Sequence, residues 1–157
     1  RVGVTTAKLF AYAVGAAVLG VNTLEAIAAQ APTNTSELWA AIDAQRNQVF
    51  ACQFSCQAGQ WKPRNQTQLM DNVAWLGQLS PGQMITGQAL LKLASQLPSG
   101  VVTADRKLWA PNAATVGKLA WQHYQSGRRD DLFTLAPQYF RASAAEEKRQ
   151  TQSGAKK

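Results

Sequence analysis

Residues that could carry acid–base or metal chemistry are few in this chain. His123 is the one histidine among 157 residues. Zinc sites of the common protease type need two histidines, so the sequence argues against such a site. It also argues against most acid–base catalysis that depends on histidine, because this catalysis usually pairs the histidine with a second reactive side chain. We expect His123 to be packed or on the surface of a helix. The adjacent carboxylates at 130–131 and 146–147 point apart and do not converge.

The two cysteines, Cys52 and Cys56, are predicted to be reduced structural thiols. In an extended segment their Cα atoms would lie ~13 Å apart, whereas a disulfide requires less than about 7 Å. A Cys-x3-Cys pair in a chain with a single histidine is also a poor metal site. We therefore expect no metal and no cofactor.

Phosphate-binding loops of the Gly-x-x-x-x-Gly-Lys-Ser/Thr and Gly-x-Gly-x-x-Gly types do not occur in the sequence, and neither does a Gly-x-Ser-x-Gly elbow. The net charge of +7 would favour polyanions only if the basic residues shared one face. These residues are scattered along the chain, which favours a solvated surface.

The tryptophans are predicted to pack in the core or at sheet edges and not to form base-stacking platforms. Trp61 alone is directly adjoined by a basic residue, Lys62, and Arg64 follows two positions later. The prediction covers all five of them: Trp39, Trp61, Trp75, Trp109 and Trp121.

Helix, strand and helix are predicted in turn near the start of the chain, which implies α/β layering. Residues 4–14 form a helix whose apolar stripe is Ala7, Phe10, Ala11 and Val14. Residues 18–21 read as a buried strand, and residues 24–31 as a helix capped by Asn22 or Thr23. The loop at 32–36 is a candidate domain boundary. A competing interpretation treats the apolar run 9–21 as part of a secretory signal peptide; it is too short to span a bilayer.

The rest of the chain reads as strands alternating with helices. A hairpin is predicted from strands 38–42 and 48–54 around the turn 43–47. Asp71 is predicted to cap a helix that runs to Leu79 and buries Val73, Ala74, Leu76 and Trp75. Further helices are predicted over 89–97 and from Pro111 to the stop at 126–127, the last burying Val116, Leu119, Ala120 and Tyr124. Further strands are expected at 61–62, 84–87 and 101–103 and an extended segment at 135–141, and residues 143–157 are expected to be a mobile tail.

Asp43 and Arg46 fall in the predicted turn and have two interpretations. In the first, Asp43 accepts backbone hydrogen bonds within the turn and Arg46 is solvated or ion-paired. In the second, the two side chains are presented to a partner at the hairpin tip. The turn chemistry of aspartate favours the first interpretation.

Three segments in series resemble the TsaB family, whose members take part in adding threonylcarbamoyl to adenosine in bacterial tRNA. Residues 1–8 leading to 18–26 are similar to the family's Arg-Ile-Gly helix and the strand that follows it. Residues 40–50 are similar to its Ala-Ile-Asp-Ala-Arg-x-Gly-Glu-Val-Tyr hairpin, and residues 137–146 to its closing Pro-x-Tyr-Leu-Arg and Ala-Glu. Departures from the family occur at the hairpin tip, where Gln45 replaces Arg and Asn47-Gln48 replaces Gly-Glu.

The resemblance implies an α/β protein with the actin-like, sugar kinase-like fold. Residues 1–34 would be the remainder of an incomplete N-terminal lobe, 35–142 the largely present C-terminal lobe, and 143–157 the tail. Because the family places a Gly-Pro-Gly-Ser-Phe-Thr-Gly loop before the first helix, the resemblance also implies that the chain is truncated at its N-terminus.

The resemblance further implies a non-catalytic scaffold in the cytoplasm, without membrane attachment. Such a subunit would bind the catalytic TsaD subunit and the ATPase TsaE, reach tRNA through that complex, and form homodimers. Family interfaces lie on helices of the N-terminal lobe, so the expected partner contacts are Arg1, Thr5, Lys8 and Tyr12. The alternatives are a glycoprotease-like peptidase, an ATPase of the actin-like superfamily, and a basic RNA-binding module acting alone.

Overall fold

A computed structural model of the protein describes residues 2–138 and 140. Its centre is a mixed sheet of six strands, and helices lie on both sides of it. The strands are β1 (Glu37–Gln45), β2 (Gln48–Gln57), β3 (Gln60–Pro63), β4 (Gln68–Asp71), β5 (Met84–Thr86) and β6 (Val102–Thr103). The helices are α1 (Val2–Val14), α2 (Thr23–Ala28), α3 (Asn72–Leu76), α4 (Leu90–Leu93) and α5 (Ala113–Gln125), with short 3-10 turns at Ala94–Gln96 and Arg106–Leu108.

The predicted hairpin is confirmed and forms the middle of the sheet. The strand order is β3-β2-β1-β5-β6, and β4 also pairs with β2. The partners of β2 are all antiparallel to it, whereas β5 is parallel to both β1 and β6. Antiparallel strands need only tight turns, and parallel ones need longer connections. The segment that contains α4 connects β5 to β6, and the segment from β2 to α3 separates β1 from β5.

Side chains on both faces of the sheet are buried, so it is an internal layer. Leu38 and Phe54 face α2 on one side, and the ring of Trp61 joins them there. Trp39 and Ile85 face α3 and α4 on the other side. Alternate residues of one strand point to opposite faces, which explains why Leu38 and Trp39 belong to different clusters.

Asn22 is confirmed as the N-cap of α2, since its side chain accepts hydrogen bonds from Leu24 N at 2.8 Å and Glu25 N at 3.3 Å. Asn112 caps α5 in the same way, accepting from Thr115 N at 2.8 Å. Pro111 therefore precedes the cap of α5 and does not lie in the first helical turn as the sequence suggested.

Three local predictions were wrong, and one strand was not predicted. Residues 18–21 are irregular apart from a bridge between Val18 and Asp130, and β4 was missed. Asp71 precedes α3 but its side chain makes no capping hydrogen bond, because Oδ1 accepts from Gln48 Nε2 of the adjacent strand at 3.1 Å. In α3, Trp75 is buried while Val73 is exposed.

The apolar stripes predicted for the two longest helices were only partly right, since Ala11 of the α1 stripe is buried. In α1, Phe10 and Val14 are exposed, and the inner face carries Val4, Lys8 and Ala11. The predicted stripe of α5 is only partly turned inward: Leu119 and Ala120 are half-buried but Val116 and Tyr124 are exposed. The tail prediction for 143–157 lies outside the described residues.

Candidate partner-binding surface

Helix α1 presents most of its large apolar side chains to solvent. Throughout α1, all of which is described, Ala11 is the one buried residue. We call the α1 surface the set of exposed side chains Val2, Leu9, Phe10, Tyr12 and Val14 together with the neighbouring Phe133. Large exposed groups of apolar side chains mark binding sites in soluble proteins.

Lys8 attaches α1 to the C-terminal part of the chain. Its Nζ donates hydrogen bonds to the carbonyls of Phe133 at 3.1 Å and Leu135 at 2.8 Å. The helix thus turns a lysine inward, with its apolar stem along the body and its ammonium group on backbone oxygens. Among the expected contact residues, Lys8 therefore already has partners within its own chain.

The other residues expected to contact a partner are Thr5, Tyr12 and Arg1, and unlike Lys8 the first two are exposed. Helical spacing puts Thr5 and Tyr12 on one outer face together with Leu9. The Tyr12 ring meets the Phe133 ring edge to face, with centroids 6.4 Å apart. Arg1 lies outside the described residues.

Phe133 is part of this surface and was not anticipated from the sequence. It sits in a turn that Asp131 organises by accepting hydrogen bonds from the backbone N–H groups of Phe133 at 3.0 Å and Thr134 at 2.7 Å. Its closeness to α1 arises from a contact between opposite ends of the chain, for which the local sequence holds no signal.

The hairpin-tip candidates do not sit together in the turn. Asp43 lies within β1 at a bulge, forms an ion pair with Lys92 of α4, and accepts a hydrogen bond from Gln45 N at 3.1 Å. The Lys92 ammonium, followed by the Gln45 N–H, holds the pKa of Asp43 below its ordinary value despite partial burial. Arg46 is in the two-residue turn, where Arg46 and Asn47 both have positive φ, as a twist-compatible hairpin turn requires.

A polar cluster joins residue 20 to the segment after α5. Asp130 Oδ2 accepts from Gly20 N at 2.7 Å, and Arg128 bonds both carboxylate oxygens of Asp130 as well as the Gly20 carbonyl. The guanidinium and then the Gly20 N–H lower the pKa of Asp130. Nearby, His123 Nε2 of α5 lies 3.2 Å from Glu25 Oε1 of α2, close enough for charge attraction but without hydrogen-bond geometry. His123 is thus a packed helix residue, as predicted.

Two adjoining clefts lie beside these contacts. One of about 640 Å³ is bounded by α1, residues 18–25 and residues 135–138. The other, of about 600 Å³, opens towards Asn65 and Gln66. Asn22, Glu25 and Thr67 line both and offer hydrogen-bonding groups. In the described part of the chain, no three His, Cys, Asp or Glu side chains are grouped closely enough to hold a metal ion.

None of the described helices has the length and apolar character needed to cross a membrane. Both cysteines are free thiols, as predicted, with Cys52 buried in the sheet.

Comparison with known proteins identifies a family whose model matches most of the chain. Residues 1–117 match the family model described as TsaD: tRNA N6-adenosine threonylcarbamoyltransferase, and this range includes the apolar run 9–21. No curated protein gives a significant match.

Two solved structures from Pseudomonas aeruginosa share the fold. An uncharacterized protein with similarity to peptidase YEAZ superposes with a TM-score of 0.70 at 21% identity, over 90% of this chain and 67% of that one. YeaZ superposes with a TM-score of 0.70 at 22% identity, over 88% of this chain and 67% of that one. YeaZ has the actin-like fold, so the predicted α/β fold class is confirmed. The family-model match over residues 1–117 bears out the family resemblance.

Proposed function

Because the chain belongs to the TsaD family of tRNA N6-adenosine threonylcarbamoyltransferases, we propose that it is a non-catalytic subunit of the tRNA modification system, binding the catalytic TsaD subunit through the α1 surface. Its place of action is the cytoplasm. TsaE joins the pair, and tRNA is reached through the assembled complex. A second copy of the chain can use the same surface, which gives a homodimer.

The observation that carries the proposal is the exposure of the α1 surface. A helix of 13 residues that buries one small side chain gains little from its own fold, and short isolated helices are marginal in water. Covering the outer apolar side chains with a partner helix would remove that surface from water, with a gain of roughly 25 cal/mol per Å². The cost of association reduces that gain, so well-packed aromatic anchors decide the affinity. Phe10 and Tyr12 are such anchors.

Four of the five aspartates are engaged by pKa-lowering hydrogen bonds within the fold, which fits a non-catalytic role. Asp43, Asp105, Asp130 and Asp131 each accept hydrogen bonds from groups of their own fold, and these bonds lower the pKa of every one of the four. A carboxylate with a lowered pKa is a weak proton acceptor near neutral pH, whereas a general base works best with a pKa near the working pH. These groups therefore serve structure.

The test is a matched pair of leucine substitutions. Leu9 on α1 is 65% exposed and Leu91 on α4 is 59% exposed, so either can become aspartate without opening the core. In co-purification of the full-length protein with TsaD, L9D should weaken the complex at least about tenfold, because it places a charge in an apolar contact. L91D should bind as the natural protein does.

The second readout is modification itself. In cells that lack TsaB, the full-length natural protein and L91D should restore threonylcarbamoyladenosine in tRNA, and L9D should not. Equal TsaD binding by L9D and the natural protein would refute the assignment of the interface. Tight ATP binding by the isolated full-length protein, or turnover of a substrate by it, would favour the enzymatic alternative.

A further inference from the structure

The outer side of α5 carries a row of alternating basic and aromatic side chains, which we call the α5 row: Lys118, Trp121, Tyr124 and Arg129. The first three are spaced by three residues, so they lie along one side of the helix. Arg129 joins them because the chain reverses at Gly127, which has a φ of +89°. The row is separate from the α1 surface in sequence and lies on a different helix.

The aromatic members are held in a fixed stack. The rings of Trp121 and Tyr124 are 5.6 Å apart between centroids and inclined by 12°. The Arg129 guanidinium carbon lies 3.4 Å from the centre of the Tyr124 ring. Arg129 Nη1 also donates to the carbonyls of Tyr124 and Arg128, each at 2.7 Å, so the guanidinium is anchored to the end of the helix. Such anchoring reduces the conformational entropy that a ligand would have to remove.

Trp121 leaves most of its surface open. It is 59% exposed although one contact of its ring is already taken by Tyr124, so a flat group can still stack on the indole. The other four tryptophans are buried or half-buried, as expected for core and edge packing. Trp121 therefore departs from the prediction that all five pack inside.

The charges beside this ring are uncompensated. Among the described residues, no carboxylate pairs with Lys118 or Arg129, whereas the adjacent Arg128 is taken up by Asp130. Cations beside an open aromatic face suit a ligand that combines a flat base with a phosphate. Single-stranded nucleic acids are bound in this way, by base stacking on aromatic rings and basic contacts to the backbone.

We propose that the α5 row binds single-stranded RNA, with an unpaired base stacked on Trp121 and neighbouring phosphates held by Lys118 and Arg129. A protein partner is less well matched, because the row presents no aliphatic stripe of the kind that a docked helix buries. The inference goes beyond the proposed function, since RNA contact at α5 needs neither TsaD nor the α1 surface.

Binding to a single-stranded oligoadenylate of about fifteen nucleotides tests the proposal, a length comparable with single-strand binding sites. The full-length protein is titrated by fluorescence anisotropy of labelled RNA and by quenching of its own tryptophan emission. The natural protein should bind the single strand, with quenching, and bind the same strand much more weakly once it is paired with oligouridylate, because pairing covers the base faces. Affinity should fall as salt is raised from about 50 to 200 mM.

Substitutions locate the site. W121A should weaken binding roughly tenfold or more and abolish the quenching. W121F, which keeps an aromatic face, should retain binding within about threefold while losing the quenching from this residue, and K118A should lower the salt slope by about one. L91A, at an equally exposed leucine on α4, should behave as the natural protein does. Thermal melting confirms that each variant is folded.

Unchanged RNA binding by W121A would overturn the proposal, as would equal losses in W121A and L91A. Loss of TsaD binding by W121A with RNA affinity intact would also overturn it and would assign the row to a protein partner. L9D separates this outcome from the proposed function, because it should lose TsaD while retaining RNA binding.

Discussion

Gly87 directly follows β5 and lies against the backbone of the neighbouring strand β1 at Ala41. Its φ is +115°, and a Cβ built there would lie 2.1 Å from the carbonyl oxygen of Ala41. That oxygen also accepts a hydrogen bond from Ala89 N at 3.1 Å. Only glycine meets both the dihedral and the steric requirement.

The first prediction at the residue scale is that G87A destabilises the protein by about 3 kcal/mol or more, from backbone strain and displacement of β1. Urea unfolding at neutral pH measures it. The control is G117A on α5, where a Cβ meets no atom within 4 Å. Alanine should raise helix stability there by roughly 0.5–1 kcal/mol. Similar unfolding midpoints for the two variants would contradict the steric argument.

The second prediction at this scale concerns Cys52. Burial raises the pKa of its thiol to about 11, and only the hydrogen bond at Asn65 acts in the other direction. The thiolate is the reactive form, and at pH 8 only about a thousandth of the Cys52 thiol would be ionised, which slows its reaction. In a C56S variant, alkylation of the native protein at pH 8 should be far slower than in urea, as followed by mass spectrometry. Equal rates in the two states would show that Cys52 is accessible.

At the scale of elements, the sequence was most informative where pairing is local. The β1–β2 hairpin follows from alternation of side chains around a polar turn, and β5 and β6 follow from short apolar runs between turn residues. β4 was missed because Gln68–Asp71 has polar ends, and its strand character comes from pairing with β2. In such cases pairing with a neighbouring strand overrides the intrinsic strand propensity of the residues.

The two long helices show why the candidate sites were harder to predict. The apolar periodicity predicted the position of α1 correctly but not which side of the helix faces the rest of the protein. Lys8 turns inward because it donates to carbonyls more than 120 residues away in the sequence. No basic residue directly adjoins Trp121 in the sequence, and its stack depends on the i+3 spacing to Tyr124 and on the reversal after α5 that brings in Arg129. Neither arrangement can be derived from a local window.

At the scale of the whole molecule, segments near the two ends of the described chain hold each other in place. The sheet and its flanking helices bury two hydrophobic clusters, one on each face of the sheet, whose buried members lie between residues 24 and 104. Outside it, Lys8 reaches residues 133 and 135, and Gly20 is bonded to Asp130 and Arg128. These polar contacts set the position of α1 and therefore the presentation of the α1 surface.

Asp130 provides the prediction at this scale, because its carboxylate links Gly20 to Arg128 and is only 18% exposed. We expect D130N to lower the free energy of unfolding at neutral pH by about 1.5–3 kcal/mol, the usual worth of a hydrogen bond that involves a charged group. D71N, at an exposed aspartate, is the control and should stay within about 0.5 kcal/mol of the natural protein.

The pH dependence of this effect has a defined sign. The pKa of Asp130 is lowered in the folded protein, so its contribution is complete above the unfolded value of about 3.9 and is lost as the pH falls through the folded value. The gap between D130N and the natural protein in urea unfolding should therefore be widest near pH 7 and narrow steadily as the pH falls from about 5 towards 3. A gap that stays constant over this range would mean that the ionised carboxylate of Asp130 does not hold residue 20 in place.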